Sequence, residues 1–495
     1  MNKTIYPSRS QVANKVFSEI TDLRKLLIVP IDFAKKEYTV QFCLGTGDFL
    51  LKRPLTVYNN LTGFDFLIKR IKGICSKYHI PTGNVLIGGE DPDYYTRNFI
   101  YSLHGHYKFV SVRAVECIKF RTNTRASSDI LDLNGIAQGI INRRSMDFNI
   151  YNQHYSNLKI SSRARDRMVR NETAQKNRIH KTIDILFPGF LSEKATGLTP
   201  FATASLALME NDFSVMKIKR MRIDTLVRFL RKHRAQKAAV VAEKLKTLAV
   251  NTLPPAPDAV EYYKATLNTK VEYFKAIRKS ISQEENEMAR LLVQTPGFYL
   301  TSIPGIGVVL AGGLIGEIMS NGRWQATDHV ASYGGIVPRE KQTGGSDSLP
   351  VKKRLPYDAN RKLKNWLLQG AYHVGTTMHP AGRYDSELAL HSLLTHYKAV
   401  ENRDGKTLLS TAKKMLKIMK CLFMDERIYL PETWLDPQTE VMSEETIAYY
   451  EVLENSLQSK WKNYNLSGIT DDNNFYTQWS KQTQALKSLA IKNIK

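Results

Sequence analysis

The stretch Leu26-Leu27-Ile28-Val29-Pro30-Ile31-Asp32 decides how this chain is read. A short apolar run that ends in an acid reads as a buried strand delivering one carboxylate to the end of a sheet. Val85-Leu86-Ile87-Gly88-Gly89-Glu90 repeats the pattern. Asp129 and Asp132 stand three apart at the start of a helical stretch, Asp129-Ile-Leu-Asp-Leu-Asn-Gly-Ile-Ala137. A small α/β domain would bring all four acids to one end of its sheet. Carboxylates gathered there repel one another unless a cation sits among them, and hard oxygen donors suit Mg²⁺ (or Mn²⁺). The expected chemistry is that of phosphodiesters.

The segments around these acids alternate between strand and helix signals. Leu26–Phe33, Tyr38–Leu44 and Phe49–Tyr58 read as three antiparallel strands, and Phe64–Tyr78 has helical spacing. Asn84–Glu90 reads as a strand, Tyr94–Leu103 as a helix, Tyr107–Val112 as a strand and Asp129–Ile141 as a closing helix. That order is the order of a ribonuclease-H-like fold. Asp129 follows Ser127-Ser128 and would also suit a helix cap.

The chain has 495 residues, too many for one core, and a formal charge of +24 with a pI near 9.6. Such an excess predicts a polyanionic partner. The four cysteines, Cys43, Cys75, Cys117 and Cys421, form no C-x-x-C pair, so neither zinc nor a disulfide framework is expected. The N-terminus lacks a signal-peptide core, and no apolar run is long enough to span a bilayer, which predicts a cytosolic protein without membrane association.

Four segments are expected: 1–150 with the acids, 151–296 as a helical stalk for nucleic-acid binding or oligomerisation, 297–400, and a helical extension over 401–495. Within the stalk, Ser162–Arg170 supplies Arg163, Arg165, Arg167 and Arg170, and a second basic run covers Lys217–Arg234. With the breaker Phe187-Pro-Gly189 between them, the two runs predict a pair of long helices with a phosphate-tracking surface. Asn251–Asp258 reads as a linker, and Ala259–Val293 resumes helical periodicity. Ser302-Ile-Pro-Gly-Ile-Gly307 resembles a helix-hairpin-helix turn, in which Gly305 and Gly307 would let a phosphate approach. Leu408–Phe423 and Glu444–Tyr464 read as helices with a structural or partner-binding role.

Taken together, the order strand-Asp, strand-Glu, Asp-x-x-Asp, helical middle and Ile-Pro-Gly-Ile-Gly resembles the DEDD transposases of bacterial insertion sequences. The family is the insertion sequence one-ten family, which also contains the Piv-like DNA invertases. Phe120-Arg-Thr-Asn-Thr-Arg-Ala-Ser-Ser-Asp129 is similar to its basic stretch before the Asp pair, and Tyr333-Gly-Gly-Ile-Val-Pro338 to its Gly-x-x-Pro block. The resemblance implies a RuvC-like domain whose metal is held by Asp32, Glu90, Asp129 and Asp132. It also implies a second, mainly helical catalytic domain with a nucleophilic serine. Strand cleavage and exchange would pass through a covalent hydroxyl–DNA link without ATP. The implied partners are donor and target DNA, a structured non-coding guide RNA, and further copies of the chain as a homodimer or homotetramer in a bacterial cytoplasm.

The chain departs from the family at the nucleophile. The matching loop reads Pro338-Arg-Glu-Lys-Gln-Thr-Gly-Gly-Ser-Asp-Ser348, with Thr343 before the glycine and Ser346 and Ser348 as alternatives. A threonine hydroxyl can attack phosphorus once deprotonated, although its methyl group restricts the approach. Arg121 and Arg125 are placed to grip phosphate as forks. Lys352, Lys353, Arg354, Arg361 and Lys362 would track a nucleic-acid backbone. The competing readings are a RuvC-like nuclease or resolvase that activates water, and an RNA-binding homologue that has lost its chemistry.

Overall fold

The computed structural model describes residues 10–90, 96–121, 128–147, 153–210, 213–319, 326–337, 340–341, 351–352, 359–376, 404–429 and 444–494. The chain divides into two units, the first running to Gln153 and the second built from His154–Met319 and Trp324–Lys495.

The first unit is a mixed sheet between two layers of helices. Its strands are β1 (Leu27–Phe33), β2 (Glu37–Val40), β3 (Cys43–Leu44), β4 (Leu55–Tyr58), β5 (Val85–Glu90), β6 (Lys108–Val112) and β7 (Met146–Asp147). They lie in the order β4-β2-β1-β5-β6-β7, with β3 also on β1. Strands β1, β5 and β6 are parallel neighbours; β2 and β3 run antiparallel to β1 and β7 to β6, while β4 is antiparallel to β2 and so runs in the direction of β1. Because β1 is central, its apolar run is needed on both faces. Leu27, Val29 and Ile31 join one core with helices α2 (Leu61–Tyr78) and α3 (Arg97–His104). Leu26 and Ile28 join the other, with α1 (Gln11–Glu19), α4 (Ala114–Phe120) and α5 (Asp129–Ile141).

Two expected strands are shorter than the sequence suggests, and proline accounts for both. The returning strand Tyr38–Leu44 is split into β2 and β3 although its register with β1 never slips. The gap falls opposite Pro30, which accepts from Gln41 N–H at 3.2 Å but has no N–H to return. The third strand begins at Leu55, immediately after Pro54, and not at Phe49. Helices α1 and α4 and strand β7 were not expected. Asp147 on β7 accepts from the backbone N–H groups of Gln11 and Val12 at 2.9 and 3.1 Å and so caps α1.

In the second unit, α6 (Gln153–Leu186) and α12 (Pro257–Leu292) are the long elements. They lie antiparallel: Ser161 Oγ donates to Glu284 at 2.5 Å, Arg278 to Glu172 at 3.1 Å and Gln175 to the Lys270 carbonyl at 2.9 Å. The expected pair of long helices therefore has a different second member. The second basic run lies instead on the short helices α9 (Val215–Arg220) and α10 (Ile223–Lys232). With α7 (Glu193–Thr196), α8 (Thr203–Glu210) and α11 (Ala238–Asn251), these form a cap on one end of the long pair around Phe187, Phe190, Phe213 and Phe274. At the other end, α13 (Val308–Met319), α14 (Thr327–Tyr333), α15 (Arg361–Thr376), α16 (Asp404–Met424), α17 (Glu444–Trp461) and α18 (Phe475–Ile494) share one core with Tyr155, Leu158 and Met288. The C-terminal helices are thus part of that core. No described helix is long and apolar enough to cross a membrane. Cys43, Cys75 and Cys117 are buried thiols and Cys421 is exposed.

Helix α5 packs against helix α4 through a glycine. A Cβ on Gly135 would stand 2.3 Å from the Cys117 carbonyl oxygen of α4. Gly135→Ala is expected to destabilise the protein by roughly 1–3 kcal/mol through overpacking against fixed backbone. Gly73→Ala, on the open face of α2 where a Cβ meets nothing within 4 Å, should stabilise by about 0.5–1 kcal/mol. Urea unfolding followed by circular dichroism separates the two signs.

Candidate catalytic site

The register of the parallel pair β1 and β5 sets Ile31 beside Gly89, so the next residues, Asp32 and Glu90, leave the sheet side by side. Both are half-buried. Gly88 and Gly89 make this possible, since a Cβ on Gly88 would lie 2.4 Å from Ile140 of α5 and one on Gly89 2.4 Å from the Phe33 ring. Ser128 caps α5 by accepting from Leu131 N–H at 3.4 Å, so Asp129 is not needed as the cap. Asp129 instead accepts from Thr39 Oγ1 at 3.3 Å, and Thr39 pairs with Asp32 across β1 and β2. Asp132 follows one helical turn later on the same side.

The four acids act on one another. Burial pushes the Asp32 carboxyl up to about 6, and the charges of Asp132, Asp129 and Glu90 add to the rise while Arg121 opposes it. Burial and the Asp132 charge also raise Glu90, against a hydrogen bond from Cys117 and the charge of Arg121. Arg121 was expected to grip phosphate. It is an ion-pair partner of Asp132, its side chain is only 12% exposed, and its Nε has no acceptor among the described residues. Among the described residues no three His, Cys, Asp or Glu side chains already close to metal-ligand distance. In kind and charge the donors nevertheless fit a hard divalent cation, because a positive ion would favour the ionised forms that burial and neighbouring charge disfavour at Asp32 and Glu90. Asp32, Glu90, Asp129 and Asp132 would hold it.

The second unit carries the other expected residues. The turn Ile303-Pro304-Gly305-Ile306 follows a 3-10 run, Pro296–Ser302, where a helix-hairpin-helix would have an α-helix. Gly305 has φ +82°, and a Cβ there would stand 2.7 Å from the His373 backbone. The glycine therefore lets α15 close onto the turn, a packing use in place of the expected phosphate approach, while Gly307 faces open space. Lys460 anchors the turn from below, donating to the carbonyls of Thr301 at 2.5 Å and Ile303 at 3.1 Å. Its burial pulls the ammonium pKa down to about 8. Trp461 Nε1 donates to Thr301 Oγ1 at 3.2 Å, and Tyr429 N–H to Ser302 Oγ at 2.8 Å.

A buried network holds both feet of the glycine-rich loop. Glu317 on α13 is fully buried and accepts from Arg163 Nε and Nη2 at 2.6 and 2.9 Å and from Asn360 Nδ2 at 2.8 Å. Asn360 also donates from Nδ2 to the Tyr333 hydroxyl at 2.9 Å and from its backbone N–H to the Tyr333 carbonyl at 2.8 Å. Tyr333 precedes the loop and Asn360 follows it. Between them Glu340 and Lys341 pair with Lys352 and Val351. Thr343, Ser346, Ser348, Arg125, Lys353 and Arg354 lie outside the described residues, and Lys352 is described only as strand.

Two family models match the chain. "Transposase IS116/IS110/IS902 family" covers residues 298–385, and a DEDD model described as "Transposase" covers residues 29–188. The chain belongs to the IS110 family of DEDD transposases. It is also 29% identical over 107 residues to the pilin gene-inverting protein of Moraxella bovis. That alignment takes in 21% of this chain and 33% of the relative, so the chain spans about a third of the length of the curated protein it matches.

Part of the basic run on α6 is spent inside the fold. Arg163 serves Glu317 and Arg165 pairs with Glu285 at 2.7 Å, which takes both from the expected free phosphate-tracking face, whereas Arg170 pairs with Asp166 one turn away at 2.8 Å and stays exposed. Lys362 also pairs with Asp166. Arg167 and Arg361 are exposed. Sequence reasoning missed Thr39, Cys117, Glu317 and Asn360. A buried acid in the apolar stretch Val308–Met319 was the one available signal, since an unpaired charge there would not survive.

Two outcomes test this geometry. The folded pKa of Asp32 is raised, so its stabilising contribution is complete below about pH 4 and lost as pH rises through about 6. In EDTA, Asp32→Asn should therefore melt higher than the parent at pH 7.5, with the gap closing between pH 6 and 4. Saturating Mg²⁺ should reverse the order at pH 7.5, because only the parent gains from binding. Separately, Arg163→Met leaves Glu317 buried and short of its cation, and should cost about 3 kcal/mol in denaturant unfolding. The double substitution with Glu317→Leu should recover much of that loss.

Proposed function

We propose that the chain is a metal-dependent DNA recombinase that cleaves and exchanges strands through a covalent hydroxyl–DNA intermediate. Its first unit is read as an RNase H-like, RuvC-like catalytic domain and the region around residues 297–400 as the domain that delivers the nucleophile. The observation that carries this is the convergence of Asp32, Glu90, Asp129 and Asp132 at the end of β1 and β5, where the other three acids raise the cost of ionising Asp32. Such a cluster is built to be neutralised by cations and is poorly explained as a surface decoration.

Bound Mg²⁺ would supply Lewis-acid stabilisation of the charge that develops on the scissile phosphate. The chain's own residues do the rest. Thr39 orients Asp129, Cys117 orients Glu90, and Arg121 holds Asp132. In the second unit the Glu317–Asn360–Tyr333 network fixes the two feet of the loop that carries Thr343, Ser346 and Ser348. The hydroxyl of Thr343, with the two serines as alternatives, would lose its proton and form a bond to phosphorus. The bond from phosphorus to the 3′ oxygen would break, and that oxygen would take up a proton. The energy of the cleaved bond stays in the new ester, which makes strand exchange reversible without ATP. A structured guide RNA and a homodimer or homotetramer complete the reading.

The test uses duplex DNA bearing the element's ends, with Mg²⁺ and RNA transcribed from the element's non-coding flank. The parent should cleave and form a protein–DNA adduct that survives denaturing gels, Asp32→Ala and Glu90→Ala should lose both, and Thr343→Ala should lose the adduct. Cleavage retained without an adduct in the parent and in Thr343→Ala, Ser346→Ala and Ser348→Ala would favour a hydrolytic nuclease. Binding without cleavage in the parent would favour an inactive RNA-binding homologue.

A further inference from the structure

The helical cap at the end of α6 and α12 differs from the rest of the basic surface. Between Lys217 and Lys237 the sequence has nine basic residues and one acid, Asp224. Whereas the arginines of α6 are largely paired, Arg220, Arg222, Arg228, Arg231, Lys232 and Arg234 are all exposed, and none makes an ion pair among the described residues. Their arrangement follows from the core beneath them. Leu226 and Leu230 of α10 are fully buried, and at 100° per residue this turns Arg228, Arg231 and Lys232 to the opposite face. Lys246 of α11 donates to the carbonyls of Lys219 and Met221, which fixes the turn between α9 and α10 and holds the basic rows in place.

We infer that this cap face is a docking surface for the phosphate backbone of duplex DNA. This excess of exposed like charge sets up a positive potential that a polyanion would neutralise with release of its counterions. Arginine dominates the face, and its planar fork matches phosphate oxygens. DNA is the polyanion that a transposase has to hold. The surface lies within residues 189–297, between the two segments that match the family models. The inference rests on the nucleic-acid reading above but not on the acidic cluster.

The experiment measures binding of the full-length protein to a labelled random-sequence DNA duplex across a salt series, without divalent metal. Arg228→Gln/Arg231→Gln/Lys232→Gln should weaken binding roughly 10- to 100-fold at low salt and make the log–log salt slope shallower by about two to three. Arg220→Gln/Arg222→Gln/Arg234→Gln, an independent exposed set on the same cap, should move both readouts the same way. Lys69→Gln/Arg70→Gln/Lys72→Gln removes equal charge from exposed positions on α2 and should leave the slope near the parent's. Parent-like DNA binding by both cap variants would overturn the inference, as would an equal loss in the α2 variant. So would a loss seen only with duplex RNA or with phosphatidylserine vesicles. Because binding is read without divalent metal and the variants lie only on the cap and on α2, failure of the metal-site reading and failure of the cap reading are separately visible.

Discussion

Mutual repulsion among carboxylates at the end of two adjacent parallel strands is the constraint around which the first unit is arranged. Parallel pairing of β1 with β5 leaves Asp32 and Glu90 no way to separate, because both are anchored by buried apolar runs. Helix α5 is drawn onto the same edge by Gly88, Gly135 and Gly139, which bring Asp129 and Asp132 with it. A structure free to minimise its own electrostatic energy would spread these four groups. This fold instead spends close packing on gathering them and offers Arg121 as the nearest counter-charge.

Much of this was legible in the chain, for reasons that differ between elements. Strand β1 was readable because a central strand must be apolar on both faces, and helix α5 because its first turn combines a serine cap with apolar spacing. The splitting of Tyr38–Leu44 was not readable from that segment at all. Its cause, the missing N–H of Pro30, sits on the strand opposite. Helix α4 and the positions of Cys117 and Arg121 were missed because their role depends on where α5 packs, which is a tertiary matter.

The arginines teach a similar lesson about charge. Read along the sequence, Arg163, Arg165 and Arg170 belong to a dense basic run with few acids nearby. Their partners, Glu317, Glu285 and Asp166, come mostly from remote segments. On α9 and α10, Arg220, Arg228, Arg231 and Lys232 make no ion pair among the described residues. Local charge density predicts a basic element, but only the fold decides whether that charge is spent internally or left for another molecule.

The anchoring of the Thr301–Ile303 carbonyls by Lys460 has a consequence for biogenesis. The donor and its Trp461 neighbour lie about 160 residues downstream of the turn they complete. At translation speeds of about 5–20 residues per second, the turn waits on the order of ten to thirty seconds, undocked, before its anchor leaves the ribosome. During that interval the apolar helix Val308–Met319 is already outside the exit tunnel with much of its covering still unmade. The order of synthesis therefore makes this segment a natural client for chaperones that shield nascent apolar chains.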